Sequence, residues 1–246
     1  MMTISTRMRI LFMLLIASSL TTSVLFAAEE EAAGGSKWIG LTAKKPFLHI
    51  IHEKQTVKVQ RIQDPNYELR GYFAKTSRQC PPFCIGPIEA DPKVKTIGEV
   101  EVFDFMEKKM RNGKGMLVDA RTPSWHKKGT IPGSVNIPFT VLSKGDKDIE
   151  MVEALEMFGA VKRDSVNPIT AWLEGFGFFD GDMKTPDWDF SNCKDLVLWC
   201  NGPACGQSPR AIRGLLEVGY PAEKLFYYRG GMQMWQLFSL TTATPQ

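Results

Sequence analysis

Hydrophobic and polar positions change their period near residue 93. Before it, "PFLHIIH", "TVKVQRI" and "YELRGYFAK" are short β-branched or aromatic runs separated by "EKQ" and "QDPN". This pattern predicts a small β-rich module of antiparallel hairpins over residues 37–92. It ends in "CPPFC", residues 80–84, where two prolines stiffen a tight turn. Beyond residue 93, helical spacing in "VEVFDFMEKKMR", "DIEMVEALEMFGAV" and "SPRAIRGLLEVGY" alternates with the apolar strands "GMLVDA", "SVNIPF", "DLVLWC" and "KLFYYRG". Alternation of that kind predicts an α/β domain over residues 93–240, with a central, mainly parallel sheet flanked by helices, and a short tail at 241–246. The long connection at 140–192 contains the aromatic, Gly- and Asp-rich run "EGFGFFDGDMKTPDWDF" and reads as an ordered excursion over the surface.

The stretch "LWCNGPACGQSPR", residues 198–210, sets a thiol at the end of a buried strand and follows it with a permissive loop. Open parallel sheets hold ligands outside the carboxyl ends of their strands, so Cys200 is expected at that edge. Gly202 and Gly206 let the loop take positive φ. Ser208 and Pro209 read as the N-cap and first position of a helix that buries Ala211, Ile212, Leu215 and Leu216 and stops at Gly219, before Pro221. Loop N–H groups and the positive end of that helix would lower the thiol pKa from about 8.5 by a unit or more. Local sequence leaves four roles open for Cys200: a small buried hydrophobe, half of a disulfide with Cys205, a metal ligand, or a nucleophile. The metal reading has little support. No histidine lies near Cys200 in sequence, the three being His49, His52 and His126; a metal site of Cys80 and Cys84 with His49 and His52 is disfavoured too, because residues three apart in a strand point to opposite faces.

Charge and the N-terminal pattern narrow the setting. The formal net charge of +3 includes Arg7 and Arg9, which precede an uncharged stretch over residues 10–28. Such a weak balance predicts neither nucleic-acid binding nor a polybasic membrane patch. A basic start, an apolar segment and the small residues Ala27 and Ala28 follow the plan of a secretory signal peptide over residues 1–28, although Leu25 or Phe26 falls at the minus-three position. The alternative is a retained membrane anchor, and contact with a membrane is expected only in that case. Either way the body of the protein is expected outside the cytoplasm, as in a periplasm. Residues 29–36, "EEEAAGGS", read as a flexible leader of the mature chain. In an oxidising compartment Cys80 and Cys84 are candidates for a local disulfide or for a pair of thiols used in exchange, and five cysteines leave at least one thiol unpaired. Cys193 reads as a buried bystander.

Four pieces in order resemble the rhodanese domain of the sulfurtransferase family: an Asp-x-Arg after a strand and a Gly-x-Ile-Pro-Gly turn before another, both in "LVDARTPSWHKKGTIPGSVNIPF" (117–139), the strand-end Cys200 loop, and the Gly-Gly and tryptophan of "YYRGGMQMW" (227–235). The resemblance covers about residues 93–240. It implies a thiolate at Cys200 that takes a sulfane sulfur from thiosulfate or a persulfide, holds it as a cysteine persulfide and passes it to a thiophilic acceptor. It further implies that Asn201, Gly202, Ala204, Cys205 and Gly206 meet the substrate through the loop, that Asp119 and Arg121 tie the sheet edge to neighbouring loops, and that Gly230, Gly231 and Trp235 pack against the Cys200 loop. No cofactor is implied.

Three departures accompany the resemblance. The loop at 201–207 lacks the arginine or lysine common in thiosulfate-using members, and Arg229 is the candidate to supply that charge. Cys205 stands close enough in sequence to resolve a persulfide. The related phosphatases need an arginine six places after the cysteine, where this chain has Gly206. The expected partner is therefore a small sulfur-containing donor or a sulfur-carrying protein. The alternatives to catalysis are a non-catalytic sulfur carrier or binding module in a periplasmic sulfur pathway, and a thiol-disulfide redox protein using Cys200 and Cys205.

Overall fold

The computed structural model describes residues 38–245; the leader expected over 1–28 and the flexible stretch at 29–36 lie outside the described residues. The chain opens with an antiparallel hairpin, β1 (Leu48–His52) and β2 (Gln55–Val59). Glu53 and Lys54 turn it with φ of 47° and 68°, the left-handed pair that suits the twist of a two-residue hairpin. Leu48, Ile50 and His52 face inward while His49 and Ile51 face out, so the two histidines do lie on opposite faces.

Next come β3 (Lys95–Ile97), α1 (Glu99–Phe105, widening into a π-turn over Met106–Met110), β4 (Gly115–Asp119), α2 (Pro123–His126), β5 (Ser134–Asn136) and α3 (Phe139–Leu142). They are followed by α4 (Ile149–Met157), β6 (Val161–Lys162), α5 (Pro168–Glu174), β7 (Trp188–Asp189), β8 (Asp195–Trp199), α6 (Gln207–Glu217), β9 (Leu225–Tyr228) and α7 (Gly231–Leu237). The central sheet has five strands in the order β3-β9-β8-β4-β5, and every pairing in it is parallel. Both faces of this sheet are covered, which is why its strands read as unbroken apolar runs. Leu196 and Leu198 of β8 enter one core with α4 and α6, whereas Val197 and Trp199 enter the other with α1 and α7.

The β1–β2 hairpin shares the second core: Leu48, Ile50 and Val59 are buried in one cluster with Leu117, Ile131, Trp199 and Trp235. The third run expected to be extended, "YELRGYFAK", pairs with no strand and forms only a single 3-10 turn, Tyr72–Ala74. Its Tyr72 ring packs edge-on against Trp125 and the Phe73 ring lies tilted beside it, instead of alternating across a sheet. The excursion at 140–192 is more than decoration. Leu142, Met151, Leu155, Phe158, Trp188 and Phe190 build the first core, and β6 and β7 pair antiparallel, while Trp172, Phe176, Phe178 and Phe179 stay on the surface.

This order decides where ligands can approach. From β4 the chain moves outward to β5, and from β8 it moves the other way to β9, so the crevice between the carboxyl ends of β4 and β8 is a topological switch point. Asp119 pairs with Trp199 across it. Arg121 and Cys200 leave the sheet side by side.

Candidate functional site

Cys200 follows the last residue of β8 and is 1% exposed. The Ser208 hydroxyl donates to its sulfur at 3.0 Å, and the thiol can donate to the Cys205 carbonyl at 3.3 Å. Burial pushes the Cys200 pKa up, but hydrogen bonds from the Cys205 thiol, from the Ser208 hydroxyl and N–H, and from the Gly202 N–H outweigh it and bring the pKa down to about 7. Cys205 moves the other way, raised by its hydrogen bond to Cys200, by burial and by the neighbouring charge. Near neutral pH about half of Cys200 is therefore thiolate, beside a Cys205 that stays a thiol and whose Sγ also reaches Gln207 Oε1 at 3.6 Å.

Two expected details of the loop differ. Ser208 is not the N-cap of α6: Gly206 occupies that position, and Ser208, inside the first turn and fully buried, spends its hydroxyl on Cys200. Nor does Gly206 need glycine's freedom, with φ of −88° and open space where a Cβ would stand. Gly202 does, at φ 140° and with Gln233 2.9 Å from a Cβ position. The remaining core face of α6 is Ala211, Ile212 and Leu215, with Leu216 partly buried.

The loop is held from both sides. Gly231, at φ 53°, lies so close that a Cβ there would be 2.2 Å from the Cys200 carbonyl oxygen. That closeness lets the N–H groups of Met232 and Gln233 donate to the carbonyls of Cys200 and Asn201, each at 3.0 Å. A Cβ on Gly230 would meet Tyr228, Glu99 and Met234 at 2.9 Å, and buried Trp235 donates to the Thr241 carbonyl at 2.8 Å. On the β4 side, Asp119 is fully buried and accepts from Arg121 Nε (2.8 Å) and Nη2 (2.7 Å), His126 Nδ1 (2.9 Å) and Thr130 Oγ1 (3.1 Å). Arg121 lies over the Trp199 ring and extends Nη1 to Asn201 Oδ1 at 3.3 Å. Burial would raise the Asp119 pKa; the bonds from Arg121 and His126 and the guanidinium charge prevail and hold it below the usual carboxylate range.

Above the loop lies a cavity of about 440 Å³. Asn201, Gly202, Ala204, Cys205 and Gly206 line one side of it, together with Gln207, Arg210 and Gln233. The opposite wall comes from residues 72–83, with Trp125 between. Cys200 is not itself a lining residue; its sulfur touches Gly202 and Cys205, which are. Arg229 lies elsewhere. Its Nε and Nη2 donate to the carbonyls of Pro87 and Gly86 at 2.9 and 2.8 Å, and it does not line the cavity.

The residues that sequence reading missed are in the 72–83 wall. Tyr72, Phe73, Lys75, Arg78, Pro82 and Phe83 line the cavity, and Cys80 and Cys84 close the loop as a disulfide with a Cα separation of 4.6 Å. The cation-aromatic run "YFAKTSR" was the available signal, but its alternation resembles a strand. Cys193 is a buried free thiol whose pKa burial raises. Among the described residues no cluster of His, Cys, Asp and Glu is placed to hold a metal ion.

Among solved structures, a full-length protein from Lactobacillus plantarum is 16% identical over 61% of this chain and 88% of its own, with a TM-score of 0.37. A rhodanese-related protein from Thermoplasma volcanium is also 16% identical, over 61% and 99%, at 0.35. The human single-domain sulfurtransferase TSTD1 is 19% identical over 58% and 96%, at 0.34. A search of curated proteins finds no match. The rhodanese-like domain family matches residues 103–237, more than half of the chain, including the Asp119–Arg121 pair, the Cys200 loop and the Gly-Gly turn into α7. This chain belongs to the rhodanese-like domain family.

Proposed function

We propose that the protein is a sulfurtransferase that carries a sulfane sulfur as a persulfide on Cys200. The observation that supports this most directly is a buried thiol at the sheet's switch point whose pKa is brought down to about 7 by donors fixed in the loop. With thiosulfate, the Cys200 thiolate attacks the outer sulfur, the bond from that sulfur to the sulfonate breaks, and the electron pair leaves with sulfite. The persulfide retains one negative charge on its outer sulfur, while the Gly202 N–H and Ser208 hold the Cys200 sulfur that makes the attack. A thiophilic acceptor then attacks the terminal sulfur and returns the thiolate. Donor access runs past Cys205 and Gly202, the lining residues that touch the Cys200 sulfur.

The test is intact mass after incubation with thiosulfate or polysulfide. The expected result is a gain of one sulfur atom that Cys200→Ser abolishes and Cys205→Ser preserves; no gain from any donor would sink the reading. Turnover with an added acceptor then separates an enzyme from a sulfur carrier. One observation favours a second reading: Cys205 hydrogen-bonds to Cys200, so the two could exchange between dithiol and disulfide. In that case the mass falls by a hydrogen pair, and only when both cysteines are present. The leader pattern and the Cys80–Cys84 disulfide support export to an oxidising compartment. Recovery of the protein only in the cytosolic fraction of its native cells would contradict export.

A further inference from the structure

The wall formed by residues 72–83 lies outside the matched family span, yet it is built into the site. At its start, the Tyr72 and Phe73 rings meet Trp125 with centroids 4.6 and 6.4 Å apart. Just past its end, the Gly86 N–H donates to the Pro203 carbonyl at 2.9 Å, which ties the wall to the Cys200 loop itself. Arg78 is fixed between these anchors. It stacks 3.8 Å from the Tyr72 centroid and 5.0 Å from that of Phe83, and it donates to the carbonyls of Lys75 and Tyr72.

Charge and size then select a ligand. Lys75, Arg78 and Arg210 line the cavity, no carboxylate does, and none of the three takes part in an ion pair among the described residues. Three cations without a counter-charge favour an anion. A volume of about 440 Å³ lies in the range of pockets for organic molecules, and a thiosulfate ion would fill only a small part of it. Rings from Tyr72, Phe73, Phe83 and Trp125 cover an apolar body, which a bare inorganic anion lacks.

We infer that this cavity binds an anionic organic persulfide, a short thiol compound bearing carboxylates, with Lys75 and Arg78 of the 72–83 wall and Arg210 of α6 as its charge contacts. The transfer step rests on the proposed role of Cys200; the binding step does not. In that transfer the Cys200 thiolate attacks the outer sulfur of R–S–SH, forming Cys200–S–SH, and the bond to the inner sulfur breaks with its electron pair leaving on R–S⁻. Atoms and charge balance without an oxidant.

Two measurements keep the steps apart. Calorimetric titration of the full-length Cys200→Ser protein with S-methylglutathione, a carboxylated thioether that transfers no sulfur, is expected to show saturable binding. Each of Arg78→Gln and Lys75→Gln is expected to weaken that binding by about tenfold, the equivalent of one lost charge-assisted contact, while Arg78→Lys retains part of it. With unmodified Cys200, Phe83→Ala is expected to raise KM for glutathione persulfide by several-fold, because it removes a ring that lines the cavity and packs on Arg78. Absence of S-methylglutathione binding, or binding indifferent to both cations, overturns the inference even where thiosulfate loads Cys200. Binding without sulfur transfer from any donor leaves the cavity's assignment standing and removes the persulfide reading instead.

Discussion

Ser208→Ala removes one hydroxyl and changes little else, because Ser208 is fully buried and its oxygen lies 3.0 Å from the Cys200 sulfur. A hydrogen bond to a charged acceptor contributes about 1.5–3 kcal/mol, and one pKa unit corresponds to about 1.4 kcal/mol. Loss of the hydroxyl therefore raises the Cys200 pKa from about 7 by roughly one to two units, with the Gly202 N–H and the Cys205 thiol still in place. The sign follows from the charge: the hydroxyl favours the thiolate, so its removal favours the thiol. At neutral pH the thiolate fraction then falls from about half to a tenth or less, and the rate of any step that needs the thiolate falls with it. Iodoacetamide alkylation measured across pH, with Cys80–Cys84 intact and the mass localised to Cys200, reports this directly. The expected result is a midpoint near 7 in the parent and about one to two units higher in the variant, with the two rates converging in alkali. Superimposed profiles would refute the account, since the hydroxyl would then have no part in holding the thiolate.

Gly231→Ala is expected to disable the Cys200 loop, because a Cβ would lie 2.2 Å from the Cys200 carbonyl at a φ of 53°; Gly206→Ala, with open space and an ordinary φ, should retain the parent's melting temperature. Persulfide loading and thermal melts on both variants test the contrast. Asp119→Asn leaves the buried Arg121 guanidinium without its charge partner and should cost about 3–5 kcal/mol of stability in denaturant titration. The Asp119 pKa is lowered in the fold, so its contribution is complete above the ordinary carboxylate range and is lost as pH falls through the lowered value. Acid unfolding followed by circular dichroism should accordingly have a shallower limb in the variant, and an unchanged limb would argue against the linkage. Leu215→Ala, which opens space in the first core beneath α6, is expected to destabilise by about 2–5 kcal/mol while the Cys200 pKa stays near 7 in the surviving fold.

The sequence by itself determined the α/β class, the strand that ends at Cys200, and the order of the Asp-x-Arg, Gly-x-Ile-Pro-Gly, cysteine-loop and Gly-Gly segments. Those are local properties: a parallel strand covered on both faces must be apolar where it is covered, as "LVLW" is, and a chain that turns tightly against another backbone must use glycine, as at Gly231. Only the tertiary structure decided what lies opposite the loop. The cations and rings of "YFAKTSRQCPPF" do not by themselves mark it as a cavity wall, because its role depends on Trp125 and Pro203, distant in the chain, and a period-two pattern describes side-chain spacing without naming a partner. The same limit misplaced Ser208, whose position before an amphipathic run is that of a cap until Cys200 packs beneath it, and Arg229, whose proximity in sequence to the Gly-Gly turn concealed its commitment to the carbonyls of Gly86 and Pro87. Backbone conformation and burial are written along the chain, whereas the charge that meets a substrate is assembled from segments that only folding brings together.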